Sequence, residues 1–91
     1  MVVLLLATLD TKGVEAAFVR DRLSELGVET RLVDCGTLQP PAVAPDVSRE
    51  TVLAAAGTTL EAVRSDGDRA HAVQAAARGA RALALELHAR G

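Results

Sequence analysis

The run Val2–Ala7, "VVLLLA", constrains this chain more than any other stretch. It is apolar at every position, β-branched at its start, and followed at once by the polar "TLDTKG". An unbroken apolar run of this length reads as a strand covered on both faces, the pattern of a parallel sheet. From about Lys12 to Leu26 the period becomes helical, with Ala16, Val19, Leu23 and Leu26 on one face and Gly27 as the C-terminal stop. Val28–Asp34, "VETRLVD", reads as a second strand. Its alternating Glu29 and Arg31 place it nearer a sheet edge than the first. Strand, helix and strand within about 33 residues make a right-handed βαβ unit. The fold class is therefore α/β: an incomplete doubly wound, Rossmann-like parallel sheet, βαβ followed by helices.

The next segment, "CGTLQPPAVAPD", carries Gly36 and all three prolines and forms a loop at the carboxyl end of the second strand. Asp46 or Ser48 caps the helix "RETVLAAA", which stops at Gly57. Thr58 or Thr59 opens a further turn, "LEAVR", before "SDGD" interrupts again. One long helix is expected from about Asp68 to Ala89, with Val73, Ala77, Ala80, Ala84 and Leu87 as its buried stripe. Gly79 inside it costs about 1 kcal/mol relative to alanine and marks a close helix crossing or a kink. Gly91 has the position of a C′ glycine before another strand. A two-stranded sheet needs more cover than this to be stable, so residues 1–91 read as the N-terminal fragment of a larger α/β subdomain. The expected completion is a missing C-terminal subdomain or a homo-oligomer.

A chain of 91 residues is at most one domain. Phe18 is the only aromatic residue, so the core must be built from Ala, Val and Leu, and stacking platforms for single-stranded nucleic acid are missing. A net charge of -2 with interspersed signs provides no electrostatic footprint for DNA or RNA. No nucleic-acid partner and no membrane partner are expected, the apolar run being far shorter than the about 20 residues a bilayer requires. Cys35 is alone and suits a reducing cytoplasm.

The candidate site is the strand-to-helix loop Thr8–Gly13. In open α/β folds this edge takes ligands, and a helix N-terminus favours an anion. Thr8 and Thr11 offer hydroxyls, Lys12, the sole lysine, a charge for phosphate, Gly13 close backbone approach, and Asp10 an acceptor for a ribose or a metal ion. The structural alternative is a plain turn in which Asp10 or Thr11 caps the helix, Gly13 relieves crowding and Lys12 is solvated. Neither a Walker A loop nor a G-x-G-x-x-G fingerprint is present. Asp34 ends the second strand about 20 positions after Gly13, the place of a ribose-binding acid in dinucleotide folds, although without the glycine fingerprint a strand-terminal turn explains it better. Cys35 lacks a nearby histidine and reads as a half-buried thiol, not a nucleophile. His71 and His88 are too far apart along one helix to share a metal, and "SDGDR" reads as helix capping instead of a calcium loop. No metal site and no catalytic base and nucleophile pair are expected. Val14 and Phe18 form a second apolar face on the first helix that calls for cover.

Four motifs in order, "ATLDTKG-x-E-A-A-F", "VDCG", "APDVSRE-x-V-x-x-AAG" and "GDR-x-x-AV-x-x-x-ARGA", carry a resemblance. The chain resembles the N-terminal part of the ATP-binding domain family named after the plant tomato mosaic virus resistance protein, whose bacterial and fungal members are mostly grouped as an uncharacterised protein family. The resemblance implies a longer protein of two α/β subdomains with a glycine-rich strand-turn after this region. It also implies ATP or another nucleotide phosphate as ligand, with Mg, and Thr8, Asp10, Thr11, Lys12, Gly13, Asp34, Gly36 and Asp46 as binding positions. Two other functions remain open from the sequence. One is an enzyme acting on a small phosphorylated or acyl metabolite, and the other is a chain that only pairs with partners through its open sheet edge.

Overall fold

A computed structural model describes residues 2–89. The first strand, β1, is Val2–Ala7, helix α1 is Leu9–Glu25, and strand β2 is Glu29–Asp34. The strands pair in parallel, with Val2 opposite Glu29 and Ala7 opposite Asp34, which gives the expected βαβ unit. Three helices come next: α2, Arg49–Ala55; α3, Leu60–Asp66; and α4, Arg69–Ala89. The fold is α/β, an incomplete Rossmann-like sheet. The expectation for Gly91 lies outside the described residues.

Neighbouring residues of a strand point to opposite faces, and β2 uses both. On one face Leu32 packs with Leu9 and Ala16 of α1, beside Leu5, Ala7 and Val43. On the other Val33 packs with Val52 of α2 and Ala80 of α4, beside Cys35, Val47 and Leu83. The outer edge of β2 is closed by a later stretch of the chain. Val47 bridges Val33 in parallel, its N–H donates to Leu32 O, and its carbonyl accepts from Asp34 N. The Asp46 carboxylate accepts from Leu32 N at 2.7 Å. Glu29 and Arg31 are exposed and paired at 3.3 Å, but the sheet has two strands, so both lie at an edge and the expected difference between them is not resolved.

Helix α1 starts three residues earlier than its sequence period indicates. The reason is Leu9, which is completely buried and forces the chain to turn directly after β1. Thr8 O accepts from both Thr11 N and Lys12 N, and the backbone leaves helical geometry at Lys12 (φ -120, ψ 20) before resuming at Gly13. Of the expected α1 stripe, Ala16 is buried and Leu23 half-buried, whereas Val19 and Leu26 are exposed and Leu26 lies just beyond the helix. Val14 and Phe18 are exposed, as their position opposite that stripe requires.

The α4 stripe is rotated from the expected one. Ala72, Ala75, Ala76, Gly79 and Ala80 are buried, while Val73 and Ala77 are exposed and Ala84 and Leu87 only half-buried. Close approach chose the face with the smallest residues over the face with larger apolar ones. A Cβ on Gly79 would overlap the Val52 carbonyl oxygen, so α2 and α4 meet backbone against backbone. In an unobstructed helix Gly→Ala stabilises by about 1 kcal/mol. Here Gly79→Ala is expected to destabilise by about 1–3 kcal/mol, as overpacking does. Thermal melts of the two proteins check the sign.

The caps match their residue types. Ser48 Oγ accepts from Thr51 N, Thr59 Oγ1 from Ala62 N, and Asp68 Oδ1 from Ala70 N and His71 N. His71 Nδ1 lies 2.7 Å from Asp66 Oδ2 across the α3–α4 turn, and this hydrogen bond, with the charges of Asp68 and Asp66, raises the imidazole pKa. A raised histidine pKa stabilises the folded state fully below the unfolded value of about 6.5 and loses that contribution as pH rises through the folded value. An imidazole titration by NMR should therefore place His71 above the free value, and Asp66→Asn should bring it down.

Candidate functional site

Both strands end at the same edge, and one buried carboxylate organises the two turns that leave it. Asp34 is 1% exposed, and its Oδ1 accepts from Leu9 N at 3.2 Å and Gly36 N at 2.8 Å. One acid thereby holds the first turn of α1 and the turn after β2. Anionic groups at a helix N-terminus are favoured, and here the protein supplies its own. Thr8 is the N-cap residue, but its side chain makes no capping bond to the backbone. Since Thr11 N and Lys12 N also bond Thr8 O, three of the first backbone N–H groups are already occupied.

Asp10 sits in that first turn and reaches across to the proline loop. Its Oδ2 accepts from Leu38 N and Gln39 N, both at 3.1 Å. The carbonyls of the same segment are taken by arginines: Arg64 donates to Leu38 O at 2.7 Å and Arg49 to Gln39 O at 2.5 Å. Peptide groups at Leu38 and Gln39 are thus held from both sides, which fixes an otherwise irregular loop. Gly36 is required under this clamp, because a Cβ there would stand 2.6 Å from Asp10 Oδ1 and 3.1 Å from Asp34 Oδ1.

Between the two strand ends lies a crevice of about 110 Å³ lined by Thr8, Asp10, Thr11, Cys35, Gly36, Thr37, Leu38, Arg69 and Val73. Thr8 Oγ1 and Thr11 Oγ1 are 2.8 Å apart, and Thr11 Oγ1 also donates to Thr8 O at 3.3 Å, so Thr8 donates to Thr11 and a hydroxyl proton reaches the crevice only when Thr11 turns from that carbonyl. Arg69, at the start of α4, has no hydrogen-bond or ion-pair partner among the described residues. The Cys35 thiol is pushed up in pKa by burial and by the neighbouring Asp34 charge, so it stays protonated and is not an activated nucleophile. A second groove of about 310 Å³ shares Thr37, Leu38 and Arg69 with the crevice and continues over Val63, Arg64, Gly67, Asp68 and Ala72.

The residues singled out in the sequence are divided by this geometry. Thr8, Asp10, Thr11 and Gly36 line the crevice. Lys12 instead lines a groove of about 290 Å³ between β1 and α1, with Leu5, Leu6, Ala7, Glu15, Ala16 and Val19. Gly13 is buried where a Cβ would come within 2.8 Å of Ala42 Cβ, so the close approach it permits is that of the proline loop. Asp34 is turned inward, and Asp46 is spent on the outer edge of β2. Among the described residues no group of three or more His, Cys, Asp or Glu side chains is arranged to hold a metal ion. Arg69 was not legible as a site residue: nothing local in "SDGDR" says that the fold returns it to the end of β1.

The bridging role of Asp34 predicts unequal effects of two substitutions. Asp34→Ala leaves two buried N–H groups without an acceptor, at about 1–3 kcal/mol each. Asp34→Asn keeps a carbonyl oxygen in place and is expected to cost clearly less. Urea denaturation of both variants tests the order.

The family model described as "Uncharacterised protein family (UPF0261) N-terminal domain" matches residues 1–91, and the chain belongs to this family. A UPF0261 protein of Clostridium tetani is 29% identical over 85 residues, covering 93% of this chain and 21% of that protein. UPF0261 proteins of Brucella suis and Brucella melitensis are 36% and 35% identical over 89 residues, covering 98% of this chain and 21% of each relative. The chain therefore spans about a fifth of the length of these relatives. No solved structure matches it. These findings correct the resemblance drawn from the four motifs. The match is to an uncharacterised family, and neither its description nor the names of these relatives supports the ATP-binding family named after the tomato mosaic virus resistance protein. No described helix is long and apolar enough to cross a membrane.

Proposed function

We propose that in the longer proteins of this family the domain forms one wall of a site for a phosphorylated ligand, with the phosphates of a nucleotide such as ATP in the crevice at the strand ends. The observation that carries this reading is the convergence there of the Thr8 and Thr11 hydroxyls with Arg69, which has no hydrogen-bond or ion-pair partner among the described residues. Arginine matches phosphate geometry through its planar fork of donors, and the Thr11 hydroxyl, by turning its proton from Thr8 O, donates without adding charge. Because Asp34 and Thr8 O already occupy the N–H groups of Leu9, Thr11 and Lys12, recognition falls mainly to side chains, with the Asp10 N–H as the one backbone donor of that turn left over among the described residues.

Size supports a shared site. Small-molecule sites run to roughly 300–1,000 Å³, and the crevice alone is smaller. The adjoining groove, with Leu38, Val63 and Ala72 in its lining, suits the organic part of such a ligand, and Arg69 stands at the junction. Asp10 acts as a positioning residue, since it holds the loop that carries Thr37 and Leu38. The unpaired Cys35 thiol is consistent with a cytoplasmic location.

Calorimetric titration of a full-length family protein with ATP and with inorganic phosphate tests the proposal. Arg69→Ala is expected to weaken ATP binding about 10–100-fold, the range of a charge-assisted hydrogen bond. Thr11→Val should weaken it less. Wild-type affinity in Arg69→Ala, or the lack of any ATP or phosphate binding by the parent, would contradict it.

A further inference from the structure

The two edges of the sheet differ. Leu32 and Asp34 direct their peptide groups to the outer edge of β2, where Asp46 and Val47 meet them. On β1, Ala7 O faces β2 and accepts from Cys35 N. By the alternation of the ladder, the peptide groups of Leu4 and Leu6 then point the other way, to an edge that no described residue pairs.

Handedness decides where a next strand belongs. The first crossover places α1 on the Leu32 face while the chain moves from β1 to β2. The second set of helices packs on the opposite face, against Val33. A parallel crossover is right-handed in nearly all known sheets, so one running over the opposite face must move in the opposite direction. It travels back across β1 and lands beyond it.

We propose that in full-length proteins of this family the region C-terminal to this domain adds a third, parallel strand to the free edge of β1, making β1 the middle strand. The occupant is a segment of the same polypeptide, since about four-fifths of each relative lies outside the matched domain, and the match is to an N-terminal domain. The surface on both sides of that edge fits such a strand. On the α1 side, the groove of about 290 Å³ is lined by Leu5, Ala7, Ala16 and Val19 together with Lys12 and Glu15. On the other side, Val2 and Leu6 are 42% and 51% exposed. An apolar strand with a helix behind it covers both. Its carboxyl end then lies beside Lys12, so the loop after it closes the ligand edge from that side. The third strand rests on the sheet topology and stands apart from the ligand reading.

Amide exchange of a full-length family protein, resolved to single residues, tests it. Among the described residues nothing pairs the N–H groups of Leu4 and Leu6 at this edge, whereas Leu5 donates toward β2. With the third strand in place, Leu4 and Leu6 are expected to exchange within about tenfold of Leu5, independently of protein concentration. Unprotected Leu4 and Leu6 would overturn the proposal. Protection that disappears on dilution would assign the edge to a second copy of the protein and overturn it equally.

Discussion

The Asp34 carboxylate is the interaction on which the strand-end edge depends. Its Oδ1 ties Leu9 N and Gly36 N together, so the first turn of α1 and the turn after β2 are set by one buried atom. A buried acid is stable only when its hydrogen bonds are made, and its two partners come from the two loops that flank the crevice. The same bond explains why the start of α1 is not a bare anion site. Its dipole already faces a carboxylate, and Thr8 O accepts from Thr11 N and Lys12 N.

Around this point the structure is held by closeness and not by bulk. The one aromatic residue, Phe18, is exposed, so the core has nothing bulkier than leucine to span gaps. It closes instead through glycine and alanine: Gly79 against the Val52 carbonyl, Gly13 against Ala42, and Gly36 against Asp10. The proline loop, which has no regular structure, is fixed electrostatically, with Asp10 on its N–H groups and Arg49 and Arg64 on its carbonyls. A crevice built from such fixed parts holds the Thr8 and Thr11 hydroxyls in defined positions, which is what recognition by a few side chains requires.

Much of the fold was legible because its signals are local. The apolar run Val2–Ala7, the stop at Gly27 and the caps at Ser48, Thr59 and Asp68 each act within a turn or two of themselves. The α4 face was not, because Val73 is more hydrophobic than Gly79 and only the crossing with α2 makes the glycine the inner residue. The site was legible in part. Thr8, Asp10 and Thr11 sit at the strand end as the βαβ pattern requires. Lys12 faces the neighbouring groove because the helix breaks at that residue, and Arg69 joins the crevice through the path of three later helices. Motif likeness misled in one respect, since the family it pointed to is replaced by an uncharacterised one.

The central claim is that the crevice between the ends of β1 and β2 receives phosphate through side chains. A crystal structure of a full-length family protein with a non-hydrolysable ATP analogue tests this directly. Phosphate oxygens are expected within hydrogen-bonding distance of the Thr8 or Thr11 hydroxyl and of the Arg69 guanidinium, with Asp34 still bonded to Leu9 N and Gly36 N. A nucleotide bound elsewhere, with these groups facing only solvent, would contradict it.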